Sequence, residues 1–299
     1  MTWVLKGSLK SASGLPLWER VPPHLYFVGS AVFHYLGPSF AVLLFARVSV
    51  PGVAWLRIVS AALVFALWRR PWLALGAMDR HTRWLIVALG VVLALMNYTF
   101  YAAIDRLPLG TVAAIEFVGP ILLALIGVRS GRNLAALGLA VAGVYLLADV
   151  RIAGEPVGFA LAGLNAALFT LYIILAHRVS RADTATSPVD RLGAAMLIAA
   201  VSIMPLGLHD AIPALSNPVL VAAGFGVGLT SSVIPYVFDQ MAMTRLTRST
   251  YAVFVALLPA TALLIGMIVL GQVPVWTEMA AVSLIIGGVL LHRTREESS

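Results

Sequence analysis

Apolar residues dominate this chain in long uninterrupted runs, with polar and charged residues gathered between them. The runs do not alternate with a period of two, so they do not read as barrel strands. Each is long enough to cross a bilayer as a helix, which takes about 20 residues. The pattern predicts ten membrane helices at about 23–46, 51–68, 84–104, 109–128, 132–149, 156–177, 190–208, 217–243, 249–270 and 275–292. The stretch before them, residues 1–22, is a basic interfacial segment with Trp3, Trp18, Lys6, Lys10 and Arg20. It is not read as a cleavable signal, because the run that follows is too long and holds His34 and Pro38.

Two stretches within this pattern match. Ala103-x-x-Arg106-Leu107-x-x-x-Thr111-x-Ala113 followed by Pro120 returns as Ala242-x-x-Arg245-Leu246-x-x-x-Thr250-x-Ala252 followed by Pro259. Weaker echoes link Arg57 and Ala61 with Arg191 and Ala195, and Ala135, Leu139 and Gly143 with Ala280, Leu284 and Gly288. The chain therefore divides into residues 23–150 and 151–299, five helices each. An odd number of crossings forces the second half to run through the membrane upside down. Inverted repeats around a midplane site are the architecture of alternating-access transporters.

Charge then orients the bundle. With the amino terminus in the cytoplasm, 16 of the 20 basic residues fall on the inner side, and Arg47, Arg106 and Arg151 on the outer. This is the bias of the positive-inside rule, and it places both termini inside. A nine- or eleven-helix count would destroy it. Composition agrees: 61% of residues are hydrophobic and 11% charged, against about 25% charged in soluble domains. The net charge of +7 comes from single or paired arginines between spans, not from a nucleic-acid-binding patch. Without cysteine there is no disulfide, thiolate metal site or cysteine nucleophile. No metal site or cofactor is expected.

The polar residues inside the spans are the candidate chemistry. Glu116, near the middle of span four, is expensive there unless it is protonated or faces polar groups, and intramembrane acids mark functional sites. It is the candidate proton-coupling group, able to bind and release a proton as its surroundings dry and wet. Asn97 and Tyr101 share one face of span three and are candidates to hold a solute, or simply to join helices. Asp105, nearer the edge, is expected to pair with Arg106 or water. In span eight Ser231, Pro235 and Asp239 share a face, with Ser232, Tyr236 and Gln240 on the next. Asp239 suits a cytoplasmic gate, substrate binding or an ion pair with Arg245 or Arg248. His34, Ser39, Asn165, Thr170 and Tyr172 are possible cavity liners. Arg57 is read first as snorkelling to the surface, because its echo Arg191 also sits near a helix start. The alternative is a counter-ion for a solute carboxylate or for Glu116. Pro120 and Pro259 each free a carbonyl one turn earlier and bend their helices, framing a central cavity. Glycines 224, 226 and 228 sit mid-span with no strand before them, so they read as close helix packing and not a nucleotide loop.

These residues carry a resemblance. Ala114-Ile115-Glu116-Phe117-Val118-Gly119-Pro120, Ser231-Ser232-x-x-Pro235-Tyr236, Arg245-Leu246 and Leu270-Gly271-Gln272 resemble the ten-helix drug/metabolite transporter superfamily of EamA type. More narrowly, they resemble its bacterial threonine/homoserine exporter branch. The likeness covers the chain after its leader. Leu258 and Gln272 depart from that branch, which usually carries acidic residues there. The resemblance implies a secondary transporter in the bacterial cytoplasmic membrane, exporting small amino acids or related metabolites as monomer or homodimer. Alternatives are export of aromatic amino acids, drugs or nucleosides without strict proton coupling, which rows of tyrosine and phenylalanine in the cavity would favour. An enzyme would need paired acids, a nucleophile with its base or an Asp-rich metal motif, and the sequence has none.

Overall fold

The computed structural model describes residues 21–127, 130–151, 155–181, 186–243, 245 and 257–291. Among these every regular element is helical. In order they are α1 (Pro23–Leu44), α2 (Val50–Arg69), α3 (Pro71–Ala77), α4 (Arg80–Ile104), α5 (Leu109–Glu116), α6 (Val118–Gly127), α7 (Gly131–Arg151), α8 (Pro156–Arg181), α9 (Pro188–Leu215), α10 (Pro218–Gly228), a π turn (Leu229–Val233), α11 (Ile234–Met243), α12 (Leu258–Leu270) and α13 (Trp276–Leu291). By length and composition α1, α2, α4, α8, α9 and the α10–α11 run can cross a membrane. The α5–α6 run, α7, α12 and α13 are shorter apolar helices. Residues 1–20 of the leader, and Leu246, Thr250 and Ala252 of the repeated motif, lie outside the described residues.

The helices fall on the predicted apolar runs, and their local chemistry explains their ends. Proline at the first turn of α1, α2, α9, α10 and α12 sits where its missing N–H costs nothing. Ser187 and Asp190 form a reciprocal capping box at the start of α9. Asp190 also accepts from Arg69 Nε at 2.8 Å, and Ser187 Oγ from Arg69 Nη2 at 3.1 Å, which ties the end of α2 to the start of α9. At the opposite end of the bundle, Gln272 Oε1 accepts from the backbone N–H of Leu109 at 3.1 Å. These two ends are called the Ser187 end and the Arg106 end below.

Three departures from the apolar pattern are structural. Span four is not one helix: it breaks at Phe117, between α5 and α6, because Pro120 has no N–H for the carbonyl of Glu116. Span eight contains the π turn for the same reason, Pro235 leaving the carbonyl of Ser231 without its α-helical donor. The loop after α2 holds the short helix α3, whose Trp72 and Leu73 are exposed. Two glycines fix how the π turn docks. A Cβ on Gly37 would overlap Ser231, and one on Gly228 would meet the Arg57 carbonyl. Only glycine lets α1 and α2 press against it from both sides.

Helices pack in pairs: α2 on α9, α4 on α8, α1 on α11, α5 on α12 and α7 on α13. One buried cluster joins them, from Tyr35 and Phe65 through Tyr101 and Leu109 to Ile285. Leucine, valine and tryptophan cover much of the outside, including Leu67, Trp68, Trp84, Val219 and Trp276. An exposed apolar surface of this extent suits lipid, not water.

Candidate functional site

A cavity of about 640 Å³ lies inside the bundle. It starts at the broken α5–α6 junction and runs between α1, α4, α8 and α11 to the Ser187 end, where His177, Pro188 and Arg191 line it. Its deep part is polar. Glu116, the last residue of α5, is 8% exposed and accepts a hydrogen bond from Asn165 Nδ2 at 3.1 Å. Asn165 is itself fully buried, and its Oδ1 has no hydrogen-bond partner among the described residues. Asn97, His34 and Tyr35 line the same depth. Asn97 has spent its amide on its own helix, donating to the Leu93 carbonyl at 2.7 Å.

Arg57 also lines this cavity, and it does not snorkel. Its side chain is buried, donating from Nε to Ser232 Oγ at 3.2 Å and from Nη2 to the Ser231 carbonyl at 3.3 Å. That carbonyl is the one Pro235 sets free. The guanidinium lies 5.1 Å from the centre of the Tyr101 ring. In a dry setting such a cation–π contact contributes about 2 kcal/mol. The snorkelling expectation is therefore corrected: a π-turn carbonyl, a serine and an aromatic face hold the charge inward. Arg191, its sequence echo, sits at the cavity mouth and donates to the Val179 carbonyl at 2.8 Å.

Between the polar depth and the Ser187 end the walls are aromatic. Phe27, Phe117, Phe169, Tyr172 and Tyr236 face the cavity, with Phe169 and Tyr172 stacked at 6.3 Å. Asp239 lines it on α11. Tyr101 and Ser232 stand behind Arg57, not on the wall, and act on the cavity through it. Ser39 is fully buried away from the cavity, and Thr170 Oγ1 donates to Ala166 on its own helix. The Gln240 side chain and Arg248 lie outside the described residues. Pro120 is in the first turn of α6, and Pro259 in the first turn of α12. Asp105 does not define an ion pair with Arg106, whose Nη1 instead lies 3.8 Å from Glu155 Oε2.

Sequence comparison agrees with this architecture. Residues 156–294 match the EamA-like transporter family. Over 288 residues the chain is 32% identical to the threonine/homoserine exporter RhtA of Escherichia coli K12, covering 94% of this chain and 92% of that one. The corresponding exporter of Salmonella typhimurium LT2 is 31% identical over 279 residues, 92% of each chain. The chain belongs to the EamA-like transporters of the drug/metabolite transporter superfamily. A protein of known structure shares the fold at a TM-score of 0.57 and 17% identity, over 90% of this chain and 95% of that one.

EamA-like proteins are multi-pass membrane transporters and not enzymes, so this chain handles a small-molecule substrate in a membrane. Against that background, sequence reasoning underrated Arg57 and named Tyr172 and Tyr236 but not the phenylalanines Phe27, Phe117 and Phe169 of the aromatic walls. Arg57 shares a helix face with the small residues Ser60 and Ala61, and the structure buries all three. Hydropathy does not record which way a ring points, so nothing in the sequence separated Phe117 and Phe169 from their apolar neighbours.

Proposed function

We propose that this protein is a secondary exporter of small amino acids resembling threonine and homoserine, or of related metabolites, across the bacterial cytoplasmic membrane. The observation that carries the reading is Glu116, a buried carboxylate at the deep end of a cavity, on a helix that breaks directly after it. Such a carboxylate is costly in a membrane interior and is kept there for a task. The coupling ion is a proton, which exchanges with solute at Glu116 by alternating access. No other cofactor is called for.

The helix pairing supports two five-helix halves in opposite orientation. Numbering the ten apolar runs in order, runs two, four and five pack on runs seven, nine and ten, while run one packs on eight and run three on six. This list is unchanged when each run is replaced by its counterpart five places on. Together with the positive-inside charge pattern it supports a cytoplasmic Ser187 end, cytoplasmic termini and a cavity facing inward to load solute. Pro120 and Pro259 are the hinges of the rocking motion. The unit works as a monomer or homodimer.

The test is transport of labelled L-threonine in proteoliposomes under an imposed pH gradient. Wild-type protein accumulates it, and Glu116→Gln reconstitutes equally well but does not respond to the gradient. Unchanged gradient-driven transport by that variant removes Glu116 from coupling. The aromatic walls favour a second reading, export of aromatic amino acids, drugs or nucleosides without strict proton coupling. A solute panel with and without an uncoupler separates the two.

A further inference from the structure

The proposed exchange leaves Arg57 without a task. Two of its N–H donors are taken by Ser231 and Ser232, and a guanidinium has five. The guanidinium also meets Tyr101 and, although buried, lines the cavity, where its remaining N–H groups can meet a bound molecule. Glu116 lines the same cavity with the opposite charge, yet no ion pair joins the two. Next to Glu116, Asn165 Oδ1 is an acceptor with no donor, in a fully buried residue. The deep end thus sets a buried guanidinium against a buried carboxylate and its neighbouring amide oxygen, with cavity space between them.

A buried charge without its complement is expensive, and removing one partner from such an arrangement costs more than the pair contributes. The complement that fits is a molecule with a carboxylate and an ammonium group. We infer that the cavity recognises the main-chain zwitterion of an α-amino acid, its carboxylate on Arg57 and its ammonium between Glu116 and Asn165 Oδ1. Arg57 offers the planar fork that a carboxylate prefers. The side chain of the bound amino acid then points along the aromatic walls of Phe117, Phe169, Tyr172 and Tyr236. Those walls give area and few fixed polar contacts, so the site is strict about the main chain and tolerant of the side chain.

The same arrangement gives exchange a cause. With Glu116 ionised, Arg57, Glu116 and the zwitterion sum to zero charge. When a proton from the outer water binds the Glu116 carboxylate, the ammonium loses its partner and faces the Arg57 charge. Proton and amino acid then exclude one another. This inference rests on the amino-acid exporter reading and adds the two ends of the binding site to it.

The experiment is counterflow of labelled L-threonine and L-phenylalanine in proteoliposomes without a pH gradient, competed by altered ligands. The competitors are the free amino acid, its methyl ester, the corresponding amino alcohol and the N-acetyl derivative. On wild-type protein the altered ligands compete about 10- to 100-fold more weakly, the loss expected for one charge-assisted hydrogen-bonded contact. Arg57→Gln weakens the free amino acid and erases its advantage over the ester and the alcohol, while the N-acetyl penalty remains. Arg57→Lys restores part of the advantage. Equal competition by ester and free acid on wild-type protein overturns the inference and leaves the exporter reading standing. So does an Arg57→Gln protein that still prefers the free acid. If wild-type protein exchanges no amino acid but does exchange a nucleoside or drug, the exporter reading fails and the inference with it. The ligand series on wild-type protein decides the matter even if the Arg57 variants do not fold.

Discussion

Two polar cavities among the described residues differ in what their charges are doing. At the Arg106 end a cavity of about 420 Å³ is lined by Asp105, Arg106, Gln272 and Glu278. There the polar groups serve the protein itself. Gln272 caps the first N–H of α5, Glu278 accepts from the Val275 N–H at 3.1 Å, and Arg106 faces Glu155 at the surface. In the central cavity Arg57 and Glu116 share the space without pairing, and Asn165 Oδ1 is unmet. Buried polar groups are nearly always hydrogen-bonded, so an unmet one beside a cavity calls for an explanation. Charged residues line both cavities, but only the central one sets a buried acid and a buried base across open space.

Several substitutions break or sharpen that contrast. The largest effect belongs to Glu116→Gln, which removes gradient-driven accumulation altogether and weakens counterflow, while its elution volume and thermal unfolding midpoint report a folded protein. Next is Asn165→Leu. It takes away the donor to Glu116 and the open acceptor together, and about 1–3 kcal/mol per unsatisfied buried group gives at least a roughly tenfold weaker counterflow affinity. A variant that binds threonine normally would show the polar depth to be structural only. At the other cavity Gln272→Ala strips the cap from Leu109, for about 1 kcal/mol. It lowers the unfolding midpoint by a few degrees, with ligand discrimination untouched. A change in the ester-to-acid ratio there would mean that the two cavities are not separate in function. The smallest effect is expected for Arg106→Ala. Both partners of its pair are nearly half exposed, so stability and transport stay within about 1 kcal/mol of wild type.

Much of the helical layout was legible in the sequence, because the energetic penalty for placing a charge in lipid is paid residue by residue along the chain. The π turn before Pro235 was not foreseen. The break in span four was legible, since Pro120 must leave the carbonyl of Glu116 without a helical donor wherever the fold puts it. Glu116 stood out for the same local reason. Arg57 did not, and its case is instructive. Sequence position gave its depth along α2 but not its rotation toward the centre, and its echo Arg191 pointed the wrong way. The two arginines share a motif, yet one holds the π turn deep in the bundle and the other lies at the mouth. Asn165 was one liner among several until its amide was found on Glu116.

The sequence alone determined where the apolar helices lie, where prolines interrupt them, and that an acid is buried among them. These are local consequences of transfer cost and backbone chemistry. Tertiary structure decided which polar groups meet: Asn165 with Glu116 across 49 residues, and Arg57 with Ser232 across 175. Such meetings depend on the rotation and register of packed helices, set by close approaches such as those at Gly37 and Gly228. No one-dimensional pattern carries that information.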